Sequence, residues 1–191
     1  MKSSGWKHLA VIALLAIIRW GFTVVATTDE PFVEVHPALI QHLDGCIDAW
    51  SQLVSDQRLH DPRLDIKSMD TDEIRNFIRR LILDCSIIVA IESESIVGIA
   101  TVAPDLNMLD RSGTVWNIAD VWVKLSHRRR GIARHLVKAS EERAIRDGAT
   151  EVRLQVYASN GAASMMYGQL GYHTIIRTMR KRLDEDYHSS G

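Results

Sequence analysis

The sequence predicts an α/β fold of the α+β kind, and three observations carry that prediction. Residues 117–123 form an apolar, β-branched and aromatic run that enters the basic turn His127-Arg128-Arg129-Arg130-Gly131 and opens at once into a helical pattern. Two more strand-like runs, 86–91 and 96–103, are joined by Glu92-Ser93-Glu94-Ser95, the signal of a hairpin. Ahead of them stand two stretches whose apolar residues recur at helical spacing.

The elements follow in chain order. Leu9 to Ile18 is wholly apolar, is preceded by Lys2 and Lys7, is broken by Arg19, and resumes to Ala26. As a membrane span, Leu9 to Ala26 is short, and a central Arg costs about 2.5–3.5 kcal/mol. As a signal peptide it has a basic start, an apolar middle and a Val24-Val25-Ala26 end, with Arg19 and Trp20 against it. A helix docked on the domain, or a start codon placed too far upstream, are the other readings. Residues 1–26 are therefore set apart as a hydrophobic segment, with membrane contact through residues 9–26 left open.

The first strand falls at Phe32 to His36 or at Thr23 to Thr27. Pro37 opens a helix to about Val54 on Leu39, Ile40, Leu43, Ile47, Trp50 and Val54. Residues 53–67 are polar and contain Asp61-Pro62, as a loop does. Asp70 is a suitable N-cap for a second helix reaching about Asp84, and Glu73 completes a capping box. After the hairpin, in which Gly98 predicts a bulge or a close backbone approach, residues 104–113 form a loop. The strand Asn117 to Val123 leads into a helix with the stripe Ile132, Leu136, Ser140 and Ala144, ended by Arg143, Arg146 and Gly148. Glu151 to Tyr157 and His173 to Leu183 are the last strands, and residues 184–191 are a polar tail.

Charged residues at 25% and hydrophobic ones at 46% suit a soluble globular protein, and 191 residues suit one domain with a sizeable core. A net charge of −1, with no aromatic interleaving around the arginines, excludes bulk nucleic-acid binding. Cys46 and Cys85 have no metal-like spacing with histidine, so no metal site is expected; they read as small hydrophobes, with a disulfide as the alternative.

The basic turn needs a local explanation. A glycine turn at a helix N-terminus presents unpaired N–H groups and the positive end of the helix dipole, which together make a phosphate site. Gly131 lets backbone approach an anion closely, Ala133 is also small, and Arg128, Arg129 and Arg130 add charge-assisted donors. The alternative is a solvated basic helix start.

Arg128-Arg129-Arg130-Gly131-Ile132-Ala133 resembles the Gln/Arg-x-x-Gly-x-Gly/Ala pyrophosphate loop of the GNAT family of N-acetyltransferases. Leu154 to Tyr172 is similar to the family's second signature, a strand ending at an Asn, then a short helix carrying a Tyr and closing on Leu-Gly-Phe/Tyr. Asn160, Ala163, Met166, Tyr167, Leu170, Gly171 and Tyr172 fill its positions. The resemblance covers roughly Ile96 to Leu183. It implies the GNAT fold, a central mixed, mostly antiparallel twisted sheet of six to seven strands flanked by about four helices, with the N-acetyltransferase domain over residues 27–183.

The resemblance also implies acetyl-CoA as co-substrate, held by Arg128, Arg129, Arg130, Gly131, Ile132, Ala133 and Arg134. It implies that a bulge frees backbone N–H groups of Val121, Trp122 and Val123 to polarise the thioester carbonyl. Asn160 matches the residue that bonds the pantetheine arm or adjacent backbone, and a helix N-cap is the other role open to it. Tyr167 matches the general acid that protonates the coenzyme A thiolate, although it also lies on an apolar stripe with Ala163, Met166 and Leu170. The two helices before the hairpin flank the family's acceptor cleft, which makes Ser55 to Met69 a substrate-loop candidate.

The general base is less defined. Asp120 is the only carboxylate on the central strand, and alternation places it with Ile118 and Trp122, opposite Asn117, Ala119 and Val121. Some relatives carry a glutamate on the Asn117/Ala119 face or on the next strand, where this chain has Gln155. Either a bulge turns Asp120 inward or water mediates deprotonation. His42, His60, His127 and His173 show no pairing, and His127 is expected to face solvent.

The expected function is N-acetyl transfer from acetyl-CoA to a primary amine, a protein N-terminus or a small molecule, by direct attack in a ternary complex. The alternative is a non-catalytic acyl-CoA-binding module, membrane-tethered or free. The expected location is the cytoplasm, or a membrane tether with a cytoplasmic catalytic domain, and monomer and homodimer are both open.

Overall fold

In a computed structural model that describes residues 23–25, 33–62, 70–105 and 115–181, the β-branched runs become strands and the amphipathic patterns become helices. The order is β1 (Thr23–Val25), β2 (Val33–Pro37), α1 (Leu43–Gln57), α2 (Thr71–Leu83), β3 (Ile87–Glu92), β4 (Ser95–Pro104), β5 (Val115–Val123), α3 (Ile132–Arg146), β6 (Glu151–Leu154) and α4 (Gly161–Gln169). The described residues fall into two compact units divided between Tyr157 and Ala158.

In the first unit the six strands form one sheet in the order β1-β2-β3-β4-β5-β6. Neighbours are antiparallel except β5 and β6, which run parallel and are joined by α3, as a parallel pair requires. Both candidates for the first strand are strands, and they pair with each other, Thr23 opposite Val35. The sheet thus begins inside the segment expected to end at Ala26. The expectations placed on residues 1–22 lie outside the described residues. Among the described residues, no helix is long and apolar enough to cross a membrane.

Pro37 ends β2 and does not open a helix. It still pairs with Ile88, and a 3₁₀ turn at Ile40–His42, closed by the Leu39 N–H donating to His42 Nδ1 at 3.0 Å, precedes α1. The helix then runs past Val54 to Gln57, into the stretch expected to be loop. At α2 the capping box forms as predicted: Asp70 Oδ1 accepts from the Asp72 N–H, and Glu73 Oε2 accepts from the Asp70 N–H at 3.3 Å.

One sheet face packs Val89, Ile99 and Trp122 against Cys46, Leu53, Ile78 and Ile82 of α1 and α2. Gly98, adjacent to Ile99, faces the other way, and there α3 comes so close that an added Cβ would lie 3.0 Å from Leu136 Cδ1 and 3.0 Å from the Trp122 carbonyl oxygen. Both expectations for Gly98 hold, since the β3–β4 register also shifts beside it, between Ala90 and Ile91. Covered on both faces, Ile87-Ile88-Val89-Ala90 is buried throughout, which explains its unbroken apolar run. Cys46 and Cys85 are both free, and burial pushes the Cys46 thiol up to about 12.

The β3–β4 turn is tight, with Ser93 (φ 49°) and Glu94 (φ 67°) both left-handed, as a two-residue hairpin loop demands. The strand expected at Glu151 to Tyr157 stops at Leu154, and residues 155–157 are exposed.

The second unit consists of α4, ended by Leu170 and by Gly171 at φ 95°, followed by residues 172–181 without regular structure. The strand expected from His173 is absent among the described residues. Ile175, Ile176 and Met179 are exposed there, and a strand-like run becomes a strand only where a neighbouring edge pairs with it.

Candidate functional site

The β5 strand decides the geometry of the site. Its register against β4 shifts at Ala119, so that Thr101 faces Asp120 and the next β4 residue, Val102, faces Ile118. One extra residue reverses the side-chain phase. Asp120 consequently shares a face with Trp122 and Asn117, and not with Ile118, correcting the alternation read from the sequence. This is the face covered by α1.

Asp120 is held there by two bonds to one hydroxyl. Thr101 Oγ1 donates to Asp120 Oδ2 at 2.9 Å and accepts from the Asp120 N–H at 3.1 Å. Burial pushes the carboxyl up from its ordinary 3.8, against the opposite pull of bonds from Thr101 and Gln57. A carboxyl of this kind takes up a proton more readily than a solvated one.

The bulge also ends the pairing of β5 with β6. The parallel register closes at Ile118 opposite Leu154, while β5 continues to Val123. The Asp120 and Lys124 N–H groups both point to β4. By alternation those of Val121 and Val123 point to the edge that β6 has left. The structure thereby divides the three predicted backbone donors. Trp122 takes part in the β4 ladder, and its buried indole Nε1 donates to Asp56 Oδ2 at 3.1 Å.

The basic turn follows directly. A 3₁₀ turn at Leu125–His127 leads to Arg129 in the left-handed region (φ 66°) and Gly131, the N-cap of α3, at φ 79°. Glycine suits that backbone because a side chain there is strained. No side chain caps α3, and the first helical bond is from the His135 N–H to the Gly131 carbonyl. The N–H groups of Ile132 and Ala133 therefore have no partner within the helix and lie at the positive end of its dipole.

The three arginines are not equivalent. Arg128 donates through Nε to the Val123 carbonyl at 2.9 Å and through Nη2 to Asp56 at 2.5 Å. Arg130 donates to Glu92 Oε1 at 2.7 Å. Arg129 is exposed and has no ion-pair partner among the described residues. His127 does not face solvent as expected. It is half-buried, with Nε2 3.0 Å from Glu92 Oε2 and Nδ1 2.8 Å from Ser126 Oγ. The Arg130 guanidinium, with His127 helping, holds the Glu92 carboxyl below the usual range despite the opposing effect of burial.

Asp56, Gln57, Thr101 and Glu92 were not singled out from the sequence. Asp56 meets its partners from 66 and 72 residues away, and Glu92 meets His127 and Arg130 from 35 and 38 residues away. No local pattern encodes such pairs. His60, in the substrate-loop candidate, stacks on Tyr157 with ring centroids 5.4 Å apart and planes 17° apart. Residues 63–69 of that loop lie outside the described residues.

The other two predicted residues belong to the second unit. Asn160 caps α4, with Oδ1 accepting from the Ala163 N–H at 3.1 Å, so its N-cap role is present. Tyr167 is buried and meets Tyr172 edge-on at 5.8 Å, on the stripe read from the sequence. Burial pushes its phenol above the ordinary 10.0, which keeps the proton on. Among the described residues, no three His, Cys, Asp or Glu side chains are placed to hold a metal ion.

The family model that matches the sequence is that of the acetyltransferase (GNAT) family, over residues 49–172. Among curated proteins none matches. An aminoglycoside N-acetyltransferase in complex with CoA is similar with a TM-score of 0.64 at 17% identity, covering 82% of this chain and 98% of that one. An aminoglycoside acetyltransferase from an uncultured soil metagenomic sample, in complex with sisomicin, has a TM-score of 0.59 at 16% identity, covering 79% and 96%. Ribosomal-protein-alanine N-acetyltransferase from Brucella melitensis biovar Abortus 2308 has a TM-score of 0.56 at 14% identity, covering 79% and 99%. At these identities the likeness is one of fold.

Proposed function

This chain belongs to the GNAT family of acetyltransferases, and from that premise we propose that it transfers the acetyl group of acetyl-CoA to a primary amine by direct attack in a ternary complex. The observation that carries this is the opening of β5 from β6 after Ile118 and Leu154, immediately ahead of the uncapped N-terminus of α3.

The fit to the co-substrate can be tested on these residues. The left-handed Gly131, the free first-turn N–H groups of Ile132 and Ala133 and the exposed Arg129 suit a pyrophosphate. Arg128 and Arg130, already bound to carboxylates, shape the turn. Arg134, in the first turn of α3, is assigned to the same loop. Val121 and Val123 offer N–H groups to a carbonyl oxygen, and Asn160 is assigned to the pantetheine arm. Acetyl-CoA would supply an activated acyl group on a thiol leaving group. Asp120 would take a proton from the acceptor amine, and Tyr167, held protonated by burial, would return one to the thiol.

Structural neighbours that are aminoglycoside acetyltransferases, one of them bound to sisomicin, support a small-molecule amine as acceptor, and the ribosomal-protein neighbour keeps a protein N-terminus in view. The N-acetyltransferase domain assigned to residues 27–183 is extended at its start to take in the sheet strand Thr23–Val25, and the protein is assigned to the cytoplasm.

The test is a thermal shift with acetyl-CoA, followed by a thiol-release assay on a panel of aminoglycosides, polyamines and peptide N-termini. A raised midpoint together with thiol release on at least one amine is the expected result. No shift with acetyl-CoA refutes the assignment. A shift without release on any amine favours the non-catalytic binding module.

A further inference from the structure

Glu92 is the last residue of β3 and has no place among the functions so far assigned. Its two carboxylate oxygens are used separately, Oε1 by Arg130 Nη2 at 2.7 Å and Oε2 by His127 Nε2 at 3.0 Å. The three side chains are only 12, 19 and 17% exposed for Glu92, Arg130 and His127. At such burial a carboxylate that bridges two donors constrains geometry far more than an ion pair in open solvent.

What Glu92 grips are the two residues that bracket Arg128 and Arg129. Arg129 is non-glycine and left-handed at φ 66°, a conformation that persists only when its surroundings over-determine it. Arg128 is fixed by Asp56 and by the Val123 carbonyl. The clamp on His127 and Arg130 supplies the remaining constraint on the turn. It also draws the Arg130 guanidinium onto the β3–β4 hairpin, leaving Arg129 beside the α3 N-terminus as an exposed cation not held by a carboxylate among the described residues.

We propose that Glu92 is a positioning residue for the cofactor turn. Through His127 and Arg130 it locks the left-handed backbone of Arg129 and so holds Arg129 and the first N–H groups of α3 in a phosphate-binding arrangement. This rests on the acetyl-CoA reading given above.

The experiment is calorimetric titration of CoA into the wild type and into Glu92→Ala, Glu92→Gln, Arg130→Ala and the Glu92→Ala/Arg130→Ala double variant. Melting temperatures and acetyl-CoA kinetics are measured alongside. Glu92→Ala should weaken CoA binding about tenfold or more, the scale of a lost hydrogen bond to a charged group. KM for acetyl-CoA should rise in step while kcat stays within about threefold. Glu92→Gln keeps an acceptor for Arg130 and should lie between Ala and the wild type. If Glu92 acts through Arg130, the double variant should bind no worse than the weaker single variant.

Unchanged or tighter CoA binding by Glu92→Ala overturns the proposal, tighter binding meaning that Arg130 is itself a phosphate ligand released by the change. Additive losses in the double variant overturn it equally. Should Glu92→Ala not fold, Glu92→Gln replaces it, and wild-type affinity in that variant has the same force. A wild type that does not bind CoA defeats the functional reading, whereas a wild type that binds beside an unaffected Glu92→Ala defeats the positioning role alone.

Discussion

Thr101 and Asp120 are bound to each other twice, the threonine hydroxyl donating to the carboxylate and accepting from the aspartate N–H. The bulge at Ala119 creates the need for this arrangement, and a buried hydroxyl on β4 meets it, Thr101 being 6% exposed. Thr101→Val keeps the shape but leaves a buried N–H and a carboxylate short of partners. The expected loss is about 1–3 kcal/mol of stability, measurable by denaturant unfolding. Wild-type stability in this variant would mean that the hydroxyl is not needed to satisfy the bulge.

Asp120→Asn separates catalysis from folding. The carboxyl is raised above 3.8 because burial disfavours its charge, so the folded wild type holds that proton more tightly than the unfolded chain. Wild-type stability should fall relative to Asp120→Asn as pH rises from 3.8 through the raised folded value, and the deficit should then stay constant. At pH 7 the Asn protein should melt no lower than the wild type. Its kcat/KM should fall by about 10²–10⁴-fold if Asp120 is the base. Paired melting curves and amine kinetics across pH check both halves.

Gly131→Val should damage the protein twice. At φ 79° a non-glycine residue is strained, at a cost of about 1–2 kcal/mol, so the ligand-free midpoint should drop. The added bulk at the helix start should also remove the stabilisation by acetyl-CoA. A Gly131→Val protein that still responds fully to acetyl-CoA would show that the anion binds elsewhere.

Tyr167→Phe retains the ring and its edge contact with Tyr172. If the phenol protonates the leaving thiol, kcat and kcat/KM should fall together, by about 10²–10⁴-fold, with acetyl-CoA affinity little altered. Full turnover in the Phe variant, with chemistry shown to be rate-limiting, assigns the proton to water and the tyrosine to packing.

The strand–turn–helix unit, the Asp70 capping box, the Asn160 cap and the α3 stripe were all legible in the sequence. Each depends on residues within a turn or two of one another, where spacing and side-chain chemistry are enough to fix local structure. The membership of Gly131 and Tyr167 in two ordered signatures was legible for the same reason. Tertiary structure alone decided which way Asp120 points, because one extra residue in β5 reverses the phase that alternation predicts. It alone separated Arg129 from Arg128 and Arg130, since the carboxylates of Asp56 and Glu92 come from an earlier helix and strand. An ion pair between distant segments is set by how elements pack, and such packing leaves no periodicity along the chain to read.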